Sequence, residues 1–180
     1  MSKKVLVISA SPRKGGNSET LADEFIAGAR EAGHQVEKVV LYDKAIGFCR
    51  GCLACQKTRR CVIEDDAEVI REKMLTVEVI AWATPIYYYE MCGQMKTMID
   101  RSNPLFPADY AFRDIYLLAT AADGEEKAMD GAIKGLQGWI DCFEKSSLAG
   151  VVKGLGVDET GAIHNFPEVK KAARDMGGKV

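Results

Sequence analysis

The chain has 180 residues, of which 47% are hydrophobic and 28% are charged, and its formal net charge at pH 7 is −2. These values are typical of a globular protein, and we expect one domain over residues 1–180. The small net charge gives no reason to expect a nucleic-acid partner. No apolar stretch is long enough to span a bilayer and no signal sequence opens the chain, so we expect no membrane partner and a cytoplasmic location.

The first predicted elements are a strand, a loop, a helix and a second strand. Residues 4–9 form a nearly continuous apolar, β-branched run, which is typical of a strand buried on both faces. A helix is predicted from Asn17 or Ser18, either of which can cap it, to about residue 32. The second strand is predicted at residues 35–41.

Strand and helix patterns continue to alternate along the rest of the chain. The remaining predictions are a helix from about residue 65, a strand at 77–84, a short helix at 93–101, a strand at 115–121, a helix at 125–145, a strand at 148–157 and a last helix from Pro167. This alternation predicts an α/β fold with a parallel, doubly wound sheet and right-handed crossovers. In such sheets ligands bind beyond the carboxyl ends of the strands, where the strand order reverses.

The loop after the first strand has the composition of a phosphate site, although it matches neither the dinucleotide fingerprint nor the P-loop. It places glycines, hydroxyl side chains and free backbone N–H groups at a helix amino terminus, where the helix dipole favours a phosphate monoester. The side chains suited to this ligand are Ser11, Arg13, Asn17, Ser18 and Thr20. The alternative is an ordinary turn in which Ser18 only caps the helix.

Two further loops are expected to open beside this one. The third strand ends in Thr84-Pro-Ile followed by three adjacent tyrosines, Tyr87 to Tyr89, which offer a flat wall for an aromatic ring system. The fourth strand ends in the small-residue turn Ala121-Ala122-Asp123, which can approach the other side of a flat ring. The three loops therefore predict one shared pocket.

Four of the six cysteines fall within residues 49–61, directly after the second strand. Cys49, Cys52, Cys55 and Cys61 have the spacing C-x2-C-x2-C-x5-C, which suits an iron–sulfur cluster or zinc. Structural zinc sites usually split their ligands into two separated pairs, so the contiguous spacing disfavours zinc. A loop that holds no metal, or that pairs its cysteines as disulfides, stays open.

Three motifs resemble those of the NAD(P)H-dependent FMN reductases in the flavodoxin-like superfamily. They are S-x-S-P-R-x-x-G-N-S after the first strand, T-P-I-Y after the third, and Q-M-K-x-x-I-D-R shortly beyond. The resemblance covers most of the chain and implies a three-layer sandwich, with a five-stranded parallel sheet in the order 2-1-3-4-5 and helices on both faces.

The same resemblance implies FMN as the cofactor, with NAD(P)H as a transient electron donor. The FMN phosphate would be held by Ser11, Arg13, Asn17, Ser18 and Thr20. The isoalloxazine would be flanked by Pro85, Ile86, Tyr87 and Tyr88, with Ala121, Ala122 and Asp123 closing the site. No side chain is assigned a catalytic role, because the flavin carries the chemistry.

The cysteine spacing is similar to that of the iron–sulfur flavoproteins, a branch of the same superfamily. This implies a [4Fe-4S] cluster held by the four cysteines, electron exchange with a small molecule or a ferredoxin, and a homodimer or homotetramer. Two alternatives remain open. One is a cluster-free NAD(P)H-dependent FMN or quinone reductase, and the other is a non-catalytic, zinc-bearing interaction module.

Overall fold

The computed structural model describes all residues 1–180 and has a parallel sheet at its centre. Its strands are β1 (Lys4–Ser9), β2 (Gln35–Val40), β3 (Val79–Tyr87), β4 (Glu90–Met91), β5 (Asp114–Thr120) and β6 (Ser147–Gly154). The five long strands are parallel in the order β2-β1-β3-β5-β6, and β4 pairs antiparallel with the end of β3. Counted over the long strands this order is 2-1-3-4-5, so the predicted flavodoxin-like fold is confirmed.

Helices cover both faces of the sheet. They are α1 (Asn17–Glu31), α2 (Ala54–Thr58), α3 (Asp66–Thr76), α4 (Gly93–Arg101), α5 (Asp130–Ile140) and α6 (Pro167–Gly177). One apolar cluster joins α1 and α6 to the sheet, and a larger one joins α3, α4 and α5 to its other face. β1 serves both clusters, because Leu6 and Ile8 point to one face and Val5 and Val7 to the other.

The third strand is longer than predicted, and the tyrosines after it do not form an irregular loop. β3 continues to Tyr87, and the chain then reverses into β4 through Tyr88 and Tyr89. These two turn residues have φ values of 50° and 65°. A two-residue hairpin turn with both central residues in the left-handed region matches the natural twist of the flanking strands.

Two other predicted elements are shorter in the structure. The strand predicted at residues 148–157 is β6, which ends at Gly154. The helix predicted at residues 125–145 is a short 3-10 turn, Glu126–Met129, followed by α5, which ends at Ile140. The chain leaves the helix there because Phe143 packs against Tyr110, Phe112 and Trp139 in an aromatic cluster. No helix in the structure combines the length and the apolar character that crossing a membrane requires.

Candidate functional site

A cavity of about 370 Å³ opens at the carboxyl ends of the strands, where β1 and β3 lie side by side in the sheet. Thirteen residues at or beyond the carboxyl ends of four strands line it: Ser11, Arg13, Gly16, Asn17, Ser18, Pro85, Ile86, Tyr87, Thr120, Ala122, Val157, Asp158 and Thr160. The three loops predicted from the sequence do converge here. The fourth wall, contributed by the loop after β6, was not predicted.

The amino terminus of α1 forms one end of this cavity. The helix cap is Gly16, not Asn17 or Ser18 as predicted, and no side chain caps the helix. The Ser18 side chain is therefore not used by the helix. Ser18 is 1% exposed, and its hydroxyl has no hydrogen-bond partner within the protein. A buried hydroxyl without a partner is costly, so this group and the free N–H groups beside it fit an anionic ligand such as a phosphate.

Ser11 and Gly16 give its shape to the loop between β1 and α1, which we call the phosphate loop (residues 10–16). The Ser11 hydroxyl donates to the carbonyl of Arg13 at 2.8 Å and accepts from the N–H of Arg13 at 3.2 Å. A Cβ on Gly16 would lie 2.4 Å from the Ser11 hydroxyl oxygen and 3.1 Å from the Arg13 carbonyl oxygen. Position 16 therefore has no room for a side chain unless the loop shifts.

The ion pair of Glu19 and Lys38 supports the same loop. The Glu19 carboxylate accepts from the N–H of Gly15 at 2.7 Å and pairs with the ammonium of Lys38 at 2.9 Å. Burial would lower the pKa of Lys38, but its hydrogen bonds with Asp23 and Glu19 outweigh that effect and raise the pKa. Lys38 thus stays charged and offsets a buried carboxylate one turn from the anion end of the cavity.

Asn17 connects α1 to the loop that follows β6. Its side-chain amide donates to the carbonyl of Glu159 at 2.7 Å, and its side-chain oxygen accepts from the N–H groups of Gly161 at 2.9 Å and Ile163 at 3.3 Å. The Arg13 guanidinium reaches the Thr160 hydroxyl at 3.4 Å. These contacts hold Val157, Asp158 and Thr160 against the cavity. Their position after the fifth long strand was the sequence signal that could have identified them.

Fewer residues than predicted line the part of the cavity where a flat ring was expected. Pro85, Ile86 and Tyr87 line it on one side and Ala122 on the other. Tyr88 is 100% exposed at the hairpin turn and does not line the cavity. Tyr89 instead donates to the carboxylate of Asp123 at 3.2 Å, which ties the hairpin to the loop after β5.

The other predicted site residues lie close to the cavity without lining it. Thr20 donates to the carbonyl of Gly16 at 3.2 Å, so it supports the cap. Ala121 is buried in the larger apolar cluster. Cys92 is fully buried, and its thiol donates to the carbonyl of Ala10 at 3.1 Å. Burial raises the pKa of the Cys92 thiol despite hydrogen bonds that lower it, as expected for a small side chain packed in the core.

A second cavity, of about 440 Å³, is bordered by all four cysteines of the 49–61 segment. We call this segment the cysteine loop. Cys55 is buried, Cys61 is half-buried, and Cys49 and Cys52 are exposed, and none of them is in a disulfide. Ile99, Asn103 and Trp139 form the opposite wall.

The backbone of the cysteine loop takes the left-handed conformation at three positions. Gly51, Leu53 and Arg59 all have φ values near +60°, and Leu53 and Arg59 bound the short helix α2. The side-chain amide of Asn103 donates to the Cys55 sulfur at 3.0 Å. No three histidine, cysteine, aspartate or glutamate side chains lie close enough together to share one metal ion. The thiols surround a space instead, and four soft donors around a cavity fit a multi-iron cluster by their chemistry.

Comparison with known proteins gives a family and several relatives. The profile of the family described as NADPH-dependent FMN reductase matches residues 3–143. An iron–sulfur flavoprotein of Methanosarcina thermophila is 27% identical in an alignment 180 residues long, gaps included, which covers 96% of this chain and 94% of the relative. Two further iron–sulfur flavoproteins match over about half of their own length, 46% and 53%.

A Bacillus subtilis protein named as an NAD(P)H-dependent FMN-containing oxidoreductase is 30% identical over 141 residues, covering 74% of this chain and 71% of the relative. Among solved structures, the NAD(P)H:quinone oxidoreductase of Methanothermobacter marburgensis superposes with a TM-score of 0.77 at 17% identity, covering 99% of this chain and 96% of that chain. At this identity the superposition speaks for the fold alone. The family profile covers most of the chain, and the chain therefore belongs to the NADPH-dependent FMN reductase family of oxidoreductases.

Proposed function

We propose that the chain is an FMN-dependent oxidoreductase that binds FMN in the cavity between the β1 and β3 loops and accepts electrons from NAD(P)H. The observation that carries this proposal is the buried, unpartnered hydroxyl of Ser18 at the amino terminus of α1. A phosphate oxygen there would accept from that hydroxyl and from the free N–H groups of the first turn. Arg13 would add positive charge.

The remaining cavity residues would orient the flavin ring. Pro85, Ile86 and Tyr87 supply an apolar wall, and Ala122 leaves space for a flat ring on the other side. Bound FMN would supply hydride acceptance and one- or two-electron transfer, which no side chain in the cavity can provide. The protein's part is to hold the phosphate, orient the ring and exclude water from part of its surface.

The phosphate assignment is tested by Ser18→Ala measured with two ligands. Loss of one hydrogen bond to a charged phosphate costs about 1.5–3 kcal/mol, so FMN affinity should fall about tenfold or more. Riboflavin, which lacks the phosphate, should bind with unchanged affinity. Ser146→Ala is the matched control, because its hydroxyl donates to the carbonyl of Phe143, away from the cavity. Equal losses for FMN and riboflavin would contradict the assignment.

We further propose that the cysteine loop holds a [4Fe-4S] cluster, which would pass single electrons between FMN and a donor such as a ferredoxin. The proposal is supported by four thiols around one cavity and by relatives that are named iron–sulfur flavoproteins. Four thiolates satisfy the ligand requirement of such a cluster. The alternative supported by family membership is a cluster-free reductase that passes electron pairs from NAD(P)H to a flavin or quinone.

Iron and acid-labile sulfide are measured on protein purified without oxygen. The cluster proposal expects about four irons and four sulfides per chain. Cys55→Ser should lose the iron and keep FMN, whereas Cys142→Ser, a thiol outside the cysteine loop, should keep both. Iron-free, sulfide-free protein that still reduces a quinone would establish the cluster-free alternative. A colourless protein with one zinc per chain would instead support the zinc-bearing interaction module.

We also propose a homodimer or homotetramer in the cytoplasm. Phe48, Leu53 and Val62 are exposed apolar residues in and beside the cysteine loop, and exposed apolar groups of this kind mark contact surfaces. Light scattering measures the mass directly, and a monomeric mass would reject the oligomer.

A further inference from the structure

We propose that Arg101 is a positioning residue for the cysteine loop: its guanidinium ties the two ends of the loop together and so holds the four thiols around their cavity. Arg101 belongs to the Q-M-K-x-x-I-D-R motif, yet it does not line the cavity assigned to FMN. The part of this inference that concerns iron rests on the proposed cluster. The part that concerns the shape of the loop does not.

The contacts of Arg101 reach both sides of the loop. It is the last residue of α4, and its side chain is 0% exposed. Nη1 donates to the carbonyl of Gly47 at 2.7 Å, and Nη2 donates to the carbonyl of Ile63 at 3.1 Å. Gly47 precedes the first cysteine and Ile63 follows the fourth. One planar group therefore bridges the chain where it enters and leaves the cysteine loop.

Asp65 completes this connection. Its two carboxylate oxygens accept from Nη1 and Nη2 of Arg101 at 2.6 and 2.9 Å. One of them also accepts from the N–H of Gly47 at 2.8 Å, and the other accepts from the N–H of Ala67 at 3.0 Å. Asp65 caps α3 through Ala67, so the entry to the loop, its exit, α3 and α4 meet at one buried ion pair.

Between these ends the loop has few contacts with the rest of the protein, among them the hydrogen bond from Asn103 to Cys55 and the ion pairs of Arg60 with Glu68 and Glu72. Its internal hydrogen bonds are those of the five-residue helix α2 and a few local turns, and most of its residues are exposed. Fixing the two ends removes the entropy cost of closing this loop from the binding of a metal group, so the four thiols border one cavity before any metal arrives. Lysine could not replace Arg101, because one ammonium lacks the fork that reaches two carbonyls and two carboxylate oxygens together.

The test compares Arg101→Lys with the wild-type protein purified with FMN. Amide hydrogen exchange over residues 44–66 reports the shape of the loop, and iron and sulfide per chain after anaerobic loading with ferrous iron and sulfide report the cluster. We expect the amide exchange rates in the loop to rise about tenfold or more, which is the effect of losing one of the hydrogen bonds that join the two ends of the loop. Iron content and the visible absorption of the cluster should fall severalfold, while FMN affinity stays within about twofold because the FMN cavity is not touched.

Arg113→Lys is the matched control. Its guanidinium also donates to backbone carbonyls, those of Tyr110, Ala111 and Phe112, but none of these belongs to the cysteine loop. Exchange and iron content should match the wild type in this variant. Should Arg101→Lys fold poorly, Asp65→Asn replaces it, because that variant keeps one oxygen for the N–H of Gly47 or of Ala67 while its neutral amide weakens the hold on Arg101.

The outcomes separate the two proposals. Wild-type exchange and wild-type iron content in Arg101→Lys would overturn the role of Arg101. Wild-type protein that takes up no iron would remove the cluster proposal alone, and hydrogen exchange would then decide the role of Arg101 by itself. An equal loss of FMN and of iron would also overturn the positioning role, since it would mean a general loss of structure.

Discussion

The two cavities of this protein are built by different means. The cavity that we propose for FMN, which we call the FMN cavity, lies at the carboxyl ends of parallel strands, so the sheet itself places Ser11, Pro85 and Thr120 close together. The cysteine cavity lies on a loop outside the sheet. Its thiols are positioned by the bridge from Arg101 to Gly47 and Ile63.

The two cavities should therefore be sensitive to different kinds of substitution. In the FMN cavity the backbone is the working part, so a change that moves the phosphate loop should matter more than the loss of one rim side chain. At the cysteine cavity no sheet hydrogen bonds position the thiols, and the buried ion pair of Arg101 and Asp65 has that role. Loss of either partner leaves an uncompensated buried charge. The two sites should therefore fail independently.

The largest effect is expected for Gly16→Ala, which tests whether the phosphate loop tolerates movement. The added Cβ would lie 2.4 Å from the Ser11 hydroxyl oxygen, so the loop must shift. Overpacking of this kind costs about 1–3 kcal/mol, which corresponds to a loss of FMN affinity of about 5- to 150-fold. Fluorescence titration with FMN measures it, and iron content should not change.

Gly138→Ala is the control for that experiment, because a Cβ at this helical position meets no atom within 4 Å. It should bind FMN as the wild type does. An affinity within about twofold of wild type in Gly16→Ala would show that the loop moves without cost, and the contrast between the two cavities would be lost.

An intermediate effect is expected when the pH is lowered, because Asp65, which joins the ends of the cysteine loop, then becomes protonated. Burial would raise the pKa of Asp65, but hydrogen bonds from Arg101 and from two backbone N–H groups outweigh it and hold the pKa below its ordinary value. A carboxyl with a lowered folded pKa stabilises the fold above its unfolded pKa, about 3.9. That contribution is lost as the pH falls through the lower folded value.

Hydrogen exchange at the amides of Gly47 and Ala67, corrected for intrinsic rates, should therefore rise below about pH 4. The rise should be largely absent in Asp65→Asn, whose side chain does not titrate. Unchanged protection of both amides down to about pH 2 in the wild type would refute the acid sensitivity assigned to Asp65.

The smallest effect is expected for Tyr89→Phe at the rim of the FMN cavity. This change removes the hydrogen bond at 3.2 Å between the tyrosine hydroxyl and the carboxylate of Asp123. An exposed hydrogen bond is worth about 0.5–1 kcal/mol at most, so FMN affinity should fall by no more than about fivefold. Tyr88→Phe is the control, because Tyr88 is fully exposed, and it should change nothing. A larger loss for Tyr88→Phe than for Tyr89→Phe would reverse the assignment of the rim.

Much of the FMN cavity could be predicted because its determinants are local. A buried strand followed by small hydroxyl residues and a helix start is visible within about twenty residues, and the parallel order of strands then brings such loops together. Eight of the predicted FMN residues line the cavity, namely Ser11, Arg13, Asn17, Ser18, Pro85, Ile86, Tyr87 and Ala122. The positions of Tyr88 and Asp123 were not predictable, because the hairpin turn depends on the pairing of β3 with β4.

Local patterns in the sequence are sufficient to predict the fold class, the loop that offers a phosphate site and the set of four thiols, because periodicity, strand ends and residue chemistry are visible there. The order of the strands followed from the resemblance to the FMN reductases and not from these patterns. Two contacts are visible only in the folded structure: Asn17 holds the loop after β6 through the carbonyl of Glu159, 142 residues further along the chain, and Arg101 joins the two ends of the cysteine loop. Such contacts join residues far apart in the chain, and their partners are chosen by how helices and sheet pack, which no local pattern encodes.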